Sequence, residues 1–303
     1  MYDLIVVGGG PAGLTATIYA LRKRLDVLLV TKNLGGKTNW RMALPGVEED
    51  EYYKVIRGLD TVNKFKQELE YLDFARLVEA AEKITQKGDH FIVQTKEGSE
   101  LETKAVIIAS GTKQQLLEIP GEKKYMMRGL CYSALSYAPL FIDKTTTVIG
   151  DGYLALRSAA ELATVATQVN LVGPTGDSMK SPLGKKLQAA DNVTLYEGYK
   201  VTEVLGNEFA EKLVVESPDG EKTEIAAEGT FVEMGLAPNS QMAADLVDLD
   251  ENGRIIIDCG AKTSAPGIFA AGDVTTIEAE QVLVAVGEGA KAALSAYEYL
   301  LKL

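Results

Sequence analysis

Six residues near the start of the chain, Gly8-Gly9-Gly10-Pro11-Ala12-Gly13, follow an apolar run and open a helical one. In such a turn the first glycine permits a tight bend, the second lets backbone amides approach a pyrophosphate, and the third allows helix to pack closely on strand. The pyrophosphate then sits on a helix N-terminus, where free N–H groups and the macrodipole favour negative charge. Gly8, Gly10, Pro11, Ala12 and Gly13 are therefore the first candidate cofactor residues. A second turn, Gly150-Asp151-Gly152-Tyr153-Leu154-Ala155, has the G-x-G-x-x-A form, so Gly150, Gly152, Tyr153, Leu154 and Ala155 make a second nucleotide-type candidate. Thiol chemistry is sparse: Cys131 and Cys259 are the only cysteines, and no CxxC or Cys/His spacing for a metal exists. The sole histidine, His90, reads as a solvated side chain where a turn meets a strand.

Each turn needs a strand before it and a helix after it. Tyr2 to Val7 reads as a buried strand, Leu14 to Arg24 as a helix and Asp26 to Val30 as the next strand, a right-handed parallel βαβ unit. The grammar recurs with a strand over Thr145 to Ile149, a helix over Tyr153 to Ala166 and a strand over Gln168 to Val172. The fold class expected is α/β, with two Rossmann-like dinucleotide-binding domains, the second inserted in the first. Between them, His90 to Thr95 alternates and is flanked by the turns Lys87-Gly88-Asp89 and Glu97-Gly98-Ser99, which suits an antiparallel meander. Another such stretch surrounds Pro218-Asp219-Gly220. A buried strand over Gly267 to Ala271 and a helix with one apolar face, Val282, Ala285, Val286, Ala290 and Leu294, close the chain.

The chain has 303 residues, 46% of them apolar, enough for two ordinary cores, and a formal charge of −12. That charge, with no basic cluster, argues against nucleic acid or an anionic membrane as partner. No basic leader and no apolar run approaching a membrane span is read, and two cysteines form no disulfide framework, so a reduced cytoplasmic location is expected.

Three further segments, Thr31 to Lys37 (TKNLGGK), Ala105 to Thr112 (AVIIASGT) and Gly267 to Val274 (GIFAAGDV) with Glu280 and Gln281 after it, stand in a specific order. With the first glycine turn they make the sequence resemble the low-molecular-weight thioredoxin reductases, FAD proteins of the pyridine nucleotide-disulfide oxidoreductase superfamily, over essentially the whole chain. The resemblance implies that Gly8, Gly10 and Gly13 hold the FAD pyrophosphate and that Asp273 accepts hydrogen bonds from the ribityl chain. It implies also that amides near Gln281 and Val282 face the flavin N1/O2 edge, where a helix N-terminus stabilises negative charge. Thr31, Gly36, Lys37, Ser110, Gly111, Gly272 and Glu280 complete the implied cofactor set. The family's glutamine after Gly-Gly is Lys37 here, and its arginine before Gln281 is Glu280. An FAD domain over 1–114 and 239–303, an inserted pyridine-nucleotide-type domain over 115–238 and a homodimer are implied as well.

The departures are as informative. The family's redox disulfide ends fourteen residues before the second turn, and counting back from Gly150 reaches Ser136. Ser133 and Ser136 thus hold the two cysteine positions and Tyr137 the acidic one, so no catalytic residue is carried over; a hydroxyl cannot form a disulfide. Tyr137 offers a ring either for flavin stacking or for ordinary packing between domains, with Tyr132 and Tyr153 expected on the same face and open to the same two readings. Cys131 reads as a small buried hydrophobe without a resolving thiol. Where the family grips the 2′-phosphate of NADPH with arginines, this chain has Val172-Gly173-Pro174-Thr175-Gly176, so ordinary NADPH use is not expected, and no carboxylate at Gly173 favours NADH. The second turn then either binds another pyrophosphate ligand, such as a second FAD, or is a structural remnant. The function expected is an FAD-dependent oxidoreductase without the redox CxxC, exchanging electrons with a redox partner protein or a small carrier: a ferredoxin or flavodoxin, a second flavin, a quinone or a non-standard disulfide. A ferredoxin/flavodoxin–NADP reductase-like enzyme and a non-catalytic flavin-binding redox sensor are the alternatives.

Overall fold

The computed structural model describes residues 1–40, 42–45, 47 and 58–303. They fall into two compact units, one of Met1–Asn39, Arg57–Lys113 and Ala237–Leu303, the other of Trp40–Ile56 and Gln114–Leu236.

In the first unit Tyr2–Val7 runs parallel between Val27–Val30 and Glu100–Ile108, and Ile268–Ala270 adds to the far side of Glu100–Ile108. Over Leu4 to Val7, Val27–Val30, Ala105 to Ile108 and Ile268–Ala270 these parallel strands are apolar at every position because both faces are covered. Alternation sorts them: Leu4, Val6, Leu29, Ala105 and Ile107 join one core, while Ile5, Val7, Leu28, Val106 and Ile108 join the other. The strand Glu100–Ile108 does two jobs. Its first part pairs antiparallel with His90–Thr95, which pairs in turn with Ala81–Lys87, so the expected meander extends the parallel sheet.

The helix Pro11–Arg22 starts three residues before the apolar periodicity does, since proline at the first helical position has no N–H to lose. It packs on the long helix Val282–Leu300 through small residues, among them Ala12, Ala16, Ala285, Ala292 and Ala296. A Cβ on Gly289 would run into the carbonyl of Ala12, so that glycine sets how closely the two helices approach.

In the second unit five parallel strands have the order Val193–Tyr196, Gln168–Val172, Thr145–Ile149, Gly229–Val232 and Leu130–Cys131. A three-stranded antiparallel sheet, Lys200–Gly206, Ala210–Glu216 and Lys222–Ala226, follows the nucleotide-type motif as expected. The helix Tyr153–Leu162 ends four residues short of the expected Ala166, because Ala163 to Ala166 turn to bring the chain into the strand Gln168–Val172. Met42 and Leu44, expected in the FAD domain, instead pack in the core of this unit with Cys131, Ala134 and Phe141. The amide of Ala43 donates to the carbonyl of Met127 at 2.7 Å, which ties that stretch down. No helix among the described residues is long and apolar enough to cross a membrane.

Candidate functional site

The first turn lies between the strand Tyr2–Val7 and the helix Pro11–Arg22, and its glycines have different reasons to be there. Gly8 has φ +108° and a Cβ there would strike Ala109; a Cβ on Gly13 would strike the carbonyl of Gly8. Both are demanded by the fold. Gly10 is not: it caps the helix at φ −73°, open to any residue, and nothing lies within 4 Å of the place its Cβ would take. No side chain caps this helix. An empty space in front of uncapped helical amides is the cradle that a pyrophosphate needs, and the residues present fit FAD there.

The segment after Val27–Val30 folds over this turn. Gly35 donates its amide to the carbonyl of Gly9 at 2.7 Å, and Gly36, at φ +56°, lies against Gly10 with no room for a side chain. The Thr31 hydroxyl donates to the carbonyl of Asn33 at 2.8 Å. Beside it a cleft of about 330 Å³ is lined by Thr31, Asn33, Asn39, Lys66, Glu70 and Arg76. Sequence reasoning found Thr31 and the segment that holds Asn33, and missed Lys66, Glu70 and Arg76, which have no motif and come from the helix Leu59–Tyr71 and the strand Arg76–Leu77. On the other side of the sheet Ser110 and Asn239 are cross-linked twice, the Ser110 hydroxyl donating to the Asn239 carbonyl at 2.7 Å and the Asn239 amide to the Ser110 carbonyl at 2.9 Å. The amide of Asn239 also donates to the carbonyl of Gly111.

The two departures from the family pattern turn out to belong to one network. The Lys37 ammonium lies 2.7 Å from the Asp273 carboxylate and donates to the Thr112 hydroxyl at 2.8 Å. Glu280 is paired with Arg254 at 2.7 Å, and Arg254 also donates to the carbonyl of Ile277. Burial, then the nearby Asp273 carboxylate, pushes the Glu280 carboxyl above its ordinary value; Lys37 and Arg254 pull the other way. Asp273 follows Gly272, whose φ of +76° lets the chain turn against Ala12. Gln281 caps the helix Val282–Leu300 by backbone geometry alone, and its side-chain Nε2 is buried with no hydrogen-bond partner among the described residues. A buried donor without an acceptor is costly, and a flavin edge would supply one.

In the second unit, Ser133 caps the short helix Ala134–Tyr137 and its hydroxyl donates to that of Ser136 at 3.0 Å. The amide of Ala134 and the hydroxyl of Ser158 both donate to the buried Glu233 carboxylate, at 2.8 and 2.9 Å. The three tyrosines expected together have three different surroundings. Tyr132 is buried with its hydroxyl donating to Glu122 at 2.9 Å. Tyr137 is only 4% exposed, which fits the packing reading rather than the stacking one; it is part of the core and donates to the carbonyl of Trp40. Tyr153 is 73% exposed. Cys131 is buried and Cys259 exposed, and both are free thiols. His90 is half-buried between Asp89 and Glu102 rather than solvated.

The second turn repeats part of the first. A Cβ on Gly150 would crowd the Glu233 carbonyl at 2.5 Å and the Ala155 Cβ at 3.0 Å, while Gly152 faces open space, although at φ +113°. Leu154 and Ala155 continue the helix, Ala155 fully buried. The Asp151 carboxylate, however, accepts the Thr175 amide at 3.0 Å. Hydrogen bonds from Ser178, Thr175 and Gly152 outweigh its partial burial and hold it below the usual carboxylate range, so a negative charge stands where a phosphate-binding loop would have positive ones.

The family model for pyridine nucleotide-disulphide oxidoreductases matches residues 2–289. The chain belongs to that family. Thioredoxin reductase from Streptococcus pyogenes superposes with a TM-score of 0.87 at 33% identity, covering 100% of this chain and 99% of that one. The thioredoxin reductase of Giardia duodenalis superposes with a TM-score of 0.85 at 25% identity. Among curated proteins, the F subunit of alkyl hydroperoxide reductase in Pseudomonas putida is 37% identical over 314 residues, 99% of this chain and 58% of the relative. The chain thus spans a little over half the length of that curated relative. Its fold is that of the thioredoxin reductases, its family binds FAD, and it is an oxidoreductase by family.

Proposed function

We propose that this protein is an FAD-dependent oxidoreductase of the thioredoxin reductase type that works without a redox disulfide beside the flavin, exchanging electrons with a partner protein or small carrier. Gly8, Gly10 and Gly13, with the amides of Ala12 and Gly13, hold the pyrophosphate. Asp273, steadied by Lys37, receives the ribityl chain, and Gln281 and Val282 present donors to the flavin edge. When bound, FAD supplies reversible two-electron transfer. The observation that carries the reading is the Ser133–Ser136 pair: the hydroxyls sit 3.0 Å apart at the place the family resemblance gives to the disulfide, and the only two cysteines of the chain lie elsewhere. A serine pair cannot accept electrons, so the site ends at the flavin. Poor use of NADPH follows from the Asp151 carboxylate on the Thr175 amide, where arginines would be wanted. The relatives named for thioredoxin and for alkyl hydroperoxide reduction suggest a partner reached by protein–protein electron transfer, in the cytoplasm and from a homodimer.

Anaerobic reduction of the purified protein with dithionite tests this. About two electrons per FAD are expected, the capacity of the flavin alone; about four would reveal a second redox couple in contact with it and overturn the reading. Replacing Ser133 and Ser136 together by alanine leaves that capacity and the rate of flavin reoxidation within about twofold of the parent.

A further inference from the structure

We propose that Lys37 and Glu280 form an opposed pair across Asp273 that sets the reduction potential of the flavin, Lys37 raising it and Glu280 lowering it. The inference rests on FAD being held at the first glycine turn with Asp273 and Gln281 beside it. Four charges from four separate stretches of the first unit converge there, Lys37, Asp273, Glu280 and Arg254, in the order cation, anion, anion, cation. The balance is zero. Thr112 and the Ile277 carbonyl take the spare donors of the two cations, so each is held in place on both sides of the carboxylates. Lys37 and Arg254 are partly shielded from solvent, Asp273 and Glu280 more so, with 17% and 22% of their side chains exposed. Charges so placed interact in a lower effective dielectric than at the surface.

Flavin reduction adds two electrons and one proton and leaves one negative charge on the cofactor. Any fixed charge near that locus therefore enters the equilibrium with a definite sign. Removing the Lys37 cation leaves an uncompensated anion and disfavours reduction. Removing the Glu280 anion leaves an uncompensated cation, Arg254, and favours it. Removing both restores balance. A role confined to packing would give no such sign pattern.

The experiment is an anaerobic reduction of the holoprotein by xanthine and xanthine oxidase, read against a reference dye, for the parent, Lys37→Met, Glu280→Gln and the double variant. Lys37→Met lowers the equilibrium constant for flavin reduction at least tenfold, about 30 mV for a two-electron couple, and Glu280→Gln raises it by a similar factor. The double variant returns to within about threefold of the parent. Shifts of both single variants in one direction, or of less than about threefold, overturn the proposal. Arg254→Met, which removes the cation from the other end, lowers the potential too and replaces Lys37→Met if that variant does not retain FAD; an unchanged potential in Arg254→Met overturns it equally. A parent protein that neither contains FAD nor takes it up contradicts the reading of the glycine turn itself, a result separate from any of these shifts.

Discussion

Cys131 shows how a residue that attracts attention in a sequence is disarmed by its surroundings. It stands two positions before Ser133, close to where the resemblance places redox chemistry, but burial pushes its thiol up from 9.0 to about 12, and the Glu233 carboxylate adds to the rise. The thiolate is the nucleophile, so Cys131 is inert at neutral pH. Brief treatment of the native protein with iodoacetamide at pH 8 labels Cys259 alone, as peptide mass spectrometry will show, and modification of Cys131 before unfolding would contradict this. The same shift makes stability depend on pH. Above pH 9 the unfolded chain releases the Cys131 proton while the folded chain keeps it, so this group's contribution, complete below pH 9, is lost as pH rises towards 12. The loss is about 1.4 kcal/mol per pH unit in that window. Urea titrations at pH 8 and 10.5 measure it, and Cys131→Ala flattens the slope. The ion pairs around Asp273 show the opposite case. Asp273 was visible in the Gly267 to Val274 segment, but its partner Lys37 lies more than two hundred positions away in the chain, and no periodicity or motif links the two.

At the scale of elements, the strand–turn–helix units were legible because each has a period and a glycine signal, and errors fell where those signals end. The helix after the first turn begins at Pro11 rather than Leu14, for its first residues are Pro-Ala-Gly and carry no apolar stripe. The cleft beside Thr31 was not legible, since Lys66 comes to it only when the helix Leu59–Tyr71 packs beside the helix Pro11–Arg22, and Arg76 only when the strand Arg76–Leu77 pairs with Val27–Val30. The turn itself separates fold from function. Gly13→Ala places a Cβ on the Gly8 carbonyl and forces helix from strand, an overpacking that costs about 1–3 kcal/mol or more. Gly10→Ala meets nothing in the protein and its backbone is ordinary, so the apo form keeps its melting temperature within about 2 °C. The methyl group nevertheless occupies the cradle, and FAD affinity falls at least tenfold, about 1.4 kcal/mol. Calorimetry of the apo form with flavin fluorescence on reconstitution distinguishes the two: equal losses of stability in both variants would mean that Gly10 is structural.

At the scale of the whole molecule, two units with the same sheet grammar carry different chemistry, and the difference lies in the turns. Both have an N-terminal glycine locked by its neighbours and a later one facing open space, Gly10 in the first unit and Gly152 in the second. A fold-level reading would assign a dinucleotide to each. The first turn, however, is overlain by glycines and lined by donors, whereas the second carries the ionised Asp151 between its two glycines, accepting the Thr175 amide. Placing a pyrophosphate beside that carboxylate sets like charges together, and no arginine stands at Val172 to Gly176 to hold the 2′-phosphate of NADPH. For NADPH, each missing charge-assisted contact to the 2′-phosphate forgoes roughly 1.5–3 kcal/mol, so the loss of two raises its dissociation constant by two orders of magnitude or more; against a second FAD, which has no 2′-phosphate, only the Asp151 charge counts. Of the two roles open to the second turn, this favours the structural remnant. Protein denatured after purification is therefore expected to release about one FAD per chain, and the holoprotein mixed anaerobically with micromolar NADPH to keep its oxidised flavin spectrum over minutes. Asp151→Asn removes the repulsion but supplies no arginine, so it gains at most about tenfold in NADPH affinity. Two FAD per chain, or rapid bleaching by NADPH in the parent, would show that the second unit binds its ligand by contacts other than the turn and the loop after Gln168–Val172.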